Sequence, residues 1–377
     1  MGAFSIPFYF SFKRLNMIKS IEYTPTENDA LHIKQIKDFF NENNIAFVEV
    51  EDNFGIFHVK DFRNEKVIEI RYVNSFYHKM DNSKRFGEQC SGIDKDYFIN
   101  VSHDNIDNDI RTIWIFDFEM EQKSDVPQYD GTILRDYHRQ WEVIKNTILT
   151  ATGHIKYQFN ARDCEIREVS NAELRPFLNT YCFYGYRAAN TNLGLYLKKD
   201  KFGYKAGTLL MVYTFSPSFY GNHNKDEKDM FVEIIRVSTM IGCQVRGGAS
   251  KCVKHFLLNY PTLIVGNDKR EMEVRKLLFY VDASHNDGRA MTAMNFDFVS
   301  WEGTGFMNIW TQDFDEMYER EDGRKVHLMA KKGEVQHRKP LAHKRIMELI
   351  RDGIIYSVGN AGTQVYTLDK EKYLNSK

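Results

Sequence analysis

The chain's densest cluster of potential chemistry lies between Gln244 and Lys251, where Gln244, Arg246, Gly247, Gly248, Ala249, Ser250 and Lys251 stand at a turn between an apolar strand and a helix. Glycines at such a turn let the backbone approach a pyrophosphate. The free N–H groups of the helix start bind it, and Arg246 and Lys251 add positive charge. The same pattern also serves close packing of a helix on a strand. Just upstream, Glu233 and Arg236 interrupt an apolar run, either as a structural ion pair or as substrate ligands. Farther along, Asp282 ends the run Leu277 to Asp282, where a carboxylate either takes a proton or caps the following turn. Tyr280 and Tyr356 are possible proton donors, although among 21 tyrosines the residue type alone decides little.

A second group lies in the first half, from Ile68 to His78. Strand alternation puts Glu69 and Arg71 on one face. His78 is either a base or an ordinary packed residue.

These side chains need elements to hold them. Leu31, Ile33, Ile36, Phe39 and Phe40 recur at helical spacing, so Thr26 to Asn43 reads as an amphipathic helix. Strand-like runs follow at Ala46–Val50, Gly55–Val59 and Val67–Val73. A second helix-like stretch, the strand Thr112–Phe118 and a helix over Trp141–Leu149 complete a small mixed sheet flanked by helices. Ser170 with Glu173 three residues on reads as a capping box. Strands are predicted at Leu193–Lys198, Thr208–Phe215, Phe231–Val237, Leu277–Asp282 and Phe296–Trp301. Helices are predicted at Ala249–Leu258 and His343–Asp352, the latter leading into two short strands around Gly359-Asn360.

At 377 residues the chain is long for one core and comfortable for two. Hydrophobic residues at 42% and aromatics at 14% describe a globular protein. With 51 Lys and Arg against 52 Asp and Glu, the net charge of -1 excludes a general attraction to phosphate backbones. Contact with nucleic acid then needs a local basic face, such as Lys331, Lys332, His337, Arg338, Lys339, His343, Lys344 and Arg345, which equally reads as a solvated surface. Cys90, Cys164, Cys182, Cys243 and Cys252 lack zinc or disulfide spacing and fit a reducing cytoplasm. Residues 1–17, rich in Phe, read as an N-terminal extension or an added strand, and no segment reaches transmembrane length.

The stretch Ile68-Glu69-Ile70-Arg71-Tyr72-Val73-Asn74-Ser75-Phe76-Tyr77-His78 resembles the metal-binding strand of phage free-standing homing endonucleases. These join a Vsr-like nuclease domain of the PD-(D/E)XK type to a GNAT-like domain, and the resemblance runs over nearly the whole chain. With Tyr77 and His78 aligned, the family's metal-binding Glu falls on Arg71 and its Asp near Gly55. A guanidinium repels a hard cation, so the resemblance implies a nuclease fold that holds no metal and does not cut. The alternative is a site relocated to Asp52, Asp61 or Glu69. Ile113-Trp114-Ile115-Phe116 matches the family's later core strand.

In the second half, Gln244 to Ala249 resembles the GNAT signature Gln/Arg-x-x-Gly-x-Gly/Ala. Tyr280-Val281-Asp282 through Gly288, Met294-Asn295-Phe296 and Ile355 to Asn360 also match the family's second domain, and more distantly the phage Mom proteins that act on adenine in DNA. Asn295 replaces a Gly, Ser357 an Asp and Cys182 a His. The resemblance implies an α+β and α/β chain. Its parts are an extension (1–17), a degenerate nuclease-like domain (18–163) and a GNAT-like domain (164–377). It further implies acetyl-CoA or a related acyl donor at Gln244–Lys251, Asp282 as base, Tyr356 as proton donor, DNA as partner and a place in the host cytoplasm. Two rivals stand beside it: a non-catalytic protein that blocks a host nuclease or defence complex, and a homing endonuclease with a relocated metal site.

Overall fold

The computed structural model describes residues 24–50, 53–78, 96–121, 126–127, 133–134, 139–218, 231–265, 270–303, 306–319, 323, 325–330, 332–333 and 343–375. The expected extension, Asp52, Cys90 and most of the basic run at 331–342 lie outside them.

Helix α1 (Glu27–Glu42) starts at a reciprocal cap. Thr26 Oγ1 accepts the Asp29 N–H at 3.2 Å, and Asp29 Oδ2 takes the Thr26 N–H at 2.7 Å. Its stripe of Ile33, Ile36, Phe39 and Phe40 is buried against β1 (Phe47–Glu49), β2 (Ile56–Lys60) and β3 (Val67–Val73). Then come α2 (Tyr97–Asp107) and β4 (Arg111–Phe116). The sheet order is β1-β2-β3-β4, the first three antiparallel and β3 parallel to β4. Both strands of that parallel pair are buried along most of their length, as a β-α-β crossover requires. The short α3 (Asp117–Met120), the hairpin β5 (Val126–Pro127) and β6 (Ile133–Leu134), and α4 (Arg139–Thr152) complete this half.

The second half begins with β7 (Tyr157–Asn160), a 3-10 turn (Ala161–Asp163), β8 (Cys164–Glu168) and α5 (Asn171–Tyr181). Ser170 Oγ caps α5 by accepting the Glu173 N–H, but the Glu173 carboxylate accepts from Tyr196 Oη at 2.7 Å, so the predicted capping box is half made. Next are β9 (Thr191–Leu197), β10 (Leu209–Pro217), β11 (Phe231–Thr239), β12 (Cys243–Arg246) and α6 (Gly248–Asn259). The hairpin β13 (Thr262–Val265) and β14 (Arg270–Glu273), then β15 (Lys276–Asp282), α7 (Arg289–Ala293) and β16 (Asp297–Glu302) follow. An excursion comprises β17 (Phe306–Trp310), the hairpin β18 (Phe314–Glu319) and β19 (Lys325–Ala330), α8 (His343–Arg351) and β20 (Ile355–Gly359). The chain returns as β21 (Thr363–Asp369) and α9 (Lys370–Asn375).

Seven strands form the main sheet in the order β16-β21-β15-β11-β10-β9-β8. Within it β11 and β15 run parallel, joined through α6, and the other neighbours are antiparallel. The two strands expected around Gly359-Asn360 exist but do not pair with each other. β20 pairs with β17, while β21 enters the main sheet. β7, on the near side of the expected junction at Cys164, already pairs in parallel with β12.

The halves share a core in which Val73, Phe98, Trp114 and Phe116 pack with Ala283, Ile309, Val358 and Ala361. Each fully buried aromatic there contributes roughly 1.5–3 kcal/mol. The seam is also hydrogen-bonded: Trp114 N–H donates to Ser284 O at 2.8 Å and Arg111 Nη2 to His285 O at 3.0 Å. Among the described residues no helix is long and apolar enough to cross a membrane.

Candidate functional site

β11 and β15 pair from Phe231 opposite Lys276 to Ile234 opposite Phe279, and then part. Where they part, β11 carries a bulge: Phe215 of β10 faces Ile234 and Thr214 faces Arg236, leaving Ile235 as the extra residue. A bulge re-aims the side chains beyond it. It therefore brings Glu233 and Arg236 to one face, opposite α6, although they are three positions apart. Tyr280 and Asp282 alternate onto that same face of β15. A polar patch is thus set where the main sheet's parallel pair opens, the kind of crevice at carboxyl strand ends where open sheets bind ligands.

The loop after α5 spans the opening. Arg236 Nε donates to Gly185 O at 3.1 Å and Nη1 to Ile235 O at 2.8 Å, so it does not spend itself on Glu233. Its guanidinium lies 5.7 Å from the Tyr184 ring centre. Burial lowers the Arg236 pKa and raises that of Glu233. Tyr184 Oη donates to Asp282 Oδ2. Asp282 Oδ2 also lies 3.3 Å from His285 Nδ1, and His285 Nε2 lies 3.5 Å from Glu119 Oε1 of α3. A chain therefore runs from Glu119 of the first half through His285 and Asp282 to Tyr184. Although half of Tyr184's surface is open to solvent, desolvation at its hydroxyl end and the Asp282 charge hold its phenol protonated well above the ordinary range.

Burial alone would raise the Asp282 pKa. The hydrogen bond and charge of His285, the Tyr184 hydroxyl and the Ser284 N–H outweigh it and bring it to about 2. For His285, burial would lower the value, but Glu119 and Asp282 raise it to about 10. Asp282, read from sequence as a base, is thus a fixed anion whose oxygens are occupied. Tyr356 has other partners: its hydroxyl lies 2.6 Å from Ser75 Oγ, near Asp117, whose carboxyl burial pushes up to about 7. The structure thus gives Asp282 and Tyr356 separate settings, and Tyr184, invisible as a loop tyrosine, takes the position beside Asp282.

The glycine turn is formed at the C-terminal end of β12. Gly247, exposed with φ of 73°, caps α6, and Arg246 beside it is exposed. Ala249 and Ser250 begin the helix. Gln244 Oε1 is buried without a hydrogen-bond partner. Gly248 answers to packing: a Cβ there would meet Leu195 Cδ1 and Met211 Sδ at 2.9 Å. Lys251 Nζ is committed to Ala161 O at 2.8 Å and Cys164 O at 2.5 Å, stapling the 3-10 turn to α6. The N–H groups around Gly247 and the Arg246 side chain are what this turn offers to an anion.

In the first half, Glu69 and Arg71 do share a face and form an ion pair at 2.5 Å. Glu69 also meets His58 Nε2 at 3.0 Å and accepts from Asn105 Nδ2 at 2.6 Å. The Arg71 guanidinium sits 5.4 Å from the Trp114 ring centre. Burial would raise the Glu69 pKa, but His58, Arg71 and Asn105 hold it at about 2. Asp61 is likewise held by Arg63, through two contacts of 2.7 Å. Among the described residues no three His, Cys, Asp or Glu side chains gather as a metal site would require. His78 Nδ1 donates to Asn74 O at 2.7 Å, and burial lowers the His78 pKa. Comparison with known protein families and with curated protein sequences finds no match.

Proposed function

We propose that the second half is a GNAT-type acyltransferase that takes acetyl-CoA or a related acyl donor, and that the first half is a nuclease-derived platform that binds DNA without cutting it. One observation carries the reading: the parallel strands β11 and β15 part at a bulge while the chain leaving β11 makes the Gly247 turn at the start of α6. The strand order, four antiparallel strands, a parallel fifth and then the antiparallel β21 and β16, supports it, as does the αβββαβ order of the first half.

In this reading the donor's pyrophosphate lies on the N–H groups around Gly247 with Arg246 beside it, and its thioester enters the gap between the strands. A neutral amine of the acceptor attacks the thioester carbon, forming C–N and breaking C–S. The leaving thiolate takes, through water, the surplus proton that the amine gives up, and Tyr184, whose own proton is held by Asp282, orders that water at the gap. Arg236 and the Asp282–His285 pair hold Tyr184 in place. The acceptor that suits a DNA-binding first half is a base amine.

Calorimetric titration of the full chain with acetyl-CoA, beside Gly247→Val, tests the turn. Binding in the wild type that is lost in the variant supports the reading; a wild type that binds neither acetyl-CoA nor CoA sinks it. The rival of a non-catalytic binding protein then leads, favoured by the closed Glu69–Arg71 pair in place of a metal site. A relocated nuclease site draws less support, because Asp61 and Glu69 are each held by an arginine.

A further inference from the structure

We infer that Glu119, a residue of the nuclease-like half, is a positioning residue for Tyr184 at the opening between β11 and β15, so that the transfer site is built by both halves. The inference rests on the acyltransferase reading for its chemistry and on the seam for its geometry.

Glu119 is buried, and its position is fixed twice. It lies on α3 directly after β4, and its Oε2 accepts the Phe116 N–H at 2.8 Å. Its Oε1 faces His285 Nε2 at 3.5 Å. The segment that carries His285 is pinned to the first half on either side of that contact. Trp114 N–H donates to Ser284 O, and Arg111 Nη2 donates to His285 O. Phe183, next to Tyr184, packs at a tilt against the His285 ring with centroids 4.7 Å apart. His285 and Asp282 then meet at 3.3 Å, and Asp282 receives the Tyr184 hydroxyl. An imidazolium between two carboxylates is drawn to both, through the Nδ1 contact with Asp282 and, since Nε2 makes no hydrogen bond, through charge alone across the 3.5 Å to Glu119. Without the Glu119 charge, His285 is free to turn toward Asp282 alone, and the oxygen that receives Tyr184 loses its fixed direction.

The test uses the full chain labelled at tyrosine 13Cζ, with the Tyr184 resonance assigned by its loss in Tyr184→Phe. In Glu119→Gln, which keeps the shape and the Phe116 contact, the Tyr184 signal is expected to move toward that of a solvated phenol. Acetyl transfer from acetyl-CoA to hydroxylamine is expected to fall on the order of 10- to 100-fold in kcat, with the acetyl-CoA Kd unchanged because the Gly247 turn is untouched. An unmoved Tyr184 signal, or an unmoved kcat, overturns the proposal. If the wild type transfers no acetyl group, the acyltransferase reading has failed, and the Tyr184 signal alone then decides whether Glu119 positions it. If Glu119→Gln does not fold, His285→Gln cuts the same chain one residue later and carries the same readouts.

Discussion

Around Glu69, a carboxylate, an imidazole, an amide and a guanidinium close on one another, and Arg71 ends the set against the Trp114 ring. Around Asp282 a similar inventory forms a line rather than a ring. It starts buried at Glu119 and ends at Tyr184, half of whose surface is exposed. Both clusters cost desolvation, and both hold a carboxylate near pKa 2. The difference lies in what remains for a ligand. The first cluster satisfies itself, whereas the second delivers a hydroxyl to a gap in a sheet.

If the contrast is right, breaking the first cluster costs stability and breaking the second costs activity. Arg71→Ala strands the Glu69 charge in the interior and should destabilise the chain by about 3–5 kcal/mol, read as a lower urea midpoint with acetyl-CoA affinity kept. The double replacement Glu69→Leu with Arg71→Met should recover most of that loss, since apolar residues of similar volume often replace a buried pair at little cost. If Arg71→Ala instead abolished acetyl transfer in a fully folded protein, the first cluster would be functional and the contrast would fall. Tyr184→Phe should lower transfer to hydroxylamine on the order of 100-fold, the low end for loss of a positioned group in proton transfer. Its urea midpoint should stay close to that of the wild type.

The two regions should also differ along the pH axis. Glu69 has a folded pKa of about 2, below the ordinary carboxylate value, so its stabilisation is full above that ordinary value and is lost as pH falls through about 2. Asp282 behaves the same way, so the acid limb reports on both clusters. His285 has a folded pKa of about 10, above the ordinary imidazole value near 6.5. Its stabilisation is full below pH 6.5 and is lost as pH rises through about 10. Thermal melts between pH 6.5 and 10 should therefore show a loss, on the order of 1 kcal/mol or more, that His285→Gln does not show. Equal slopes in the two proteins would remove His285 from between its carboxylates.

Local pattern carried most of the elements into view. The helix over Thr26–Asn43 with its stripe from Ile33 to Phe40, the strand Val67–Val73 and the helix after the Gly247 turn all follow from spacing and side-chain type, and each lies where it was predicted, while the short β12 before that turn was given no range. Glu69 beside Arg71 was legible for the same reason, since strand alternation is local. What stayed hidden depends on long-range closure. Glu233 and Arg236 look out of phase until the bulge at Ile235 is known. Glu119 and His285 meet only because β4 is hydrogen-bonded to Ser284. Tyr184 lies in an irregular loop with no period to mark it. Lys251, which looks like a phosphate ligand in sequence, is taken by two carbonyls that only the fold brings near.

The adjacent glycines of the turn give the finest division between packing and binding. Gly248 is buried, and a methyl there would lie 2.9 Å from Leu195 Cδ1 and Met211 Sδ. Gly248→Ala should thus lower stability by about 1–3 kcal/mol through overpacking, with acetyl-CoA affinity following only the folded fraction. Gly247 is exposed, and its added Cβ would find only Ala161 Cβ at 3.6 Å, so space is not its constraint. Its φ of 73° is, and an L residue held there costs about 1 kcal/mol. Gly247→Ala should therefore be the mildest of these changes in a urea melt. Yet it should weaken acetyl-CoA several-fold in calorimetry, because relaxing φ turns the N–H groups of the α6 start away from the pyrophosphate. Unchanged affinity in Gly247→Ala would mean that the turn shapes the chain and holds no phosphate.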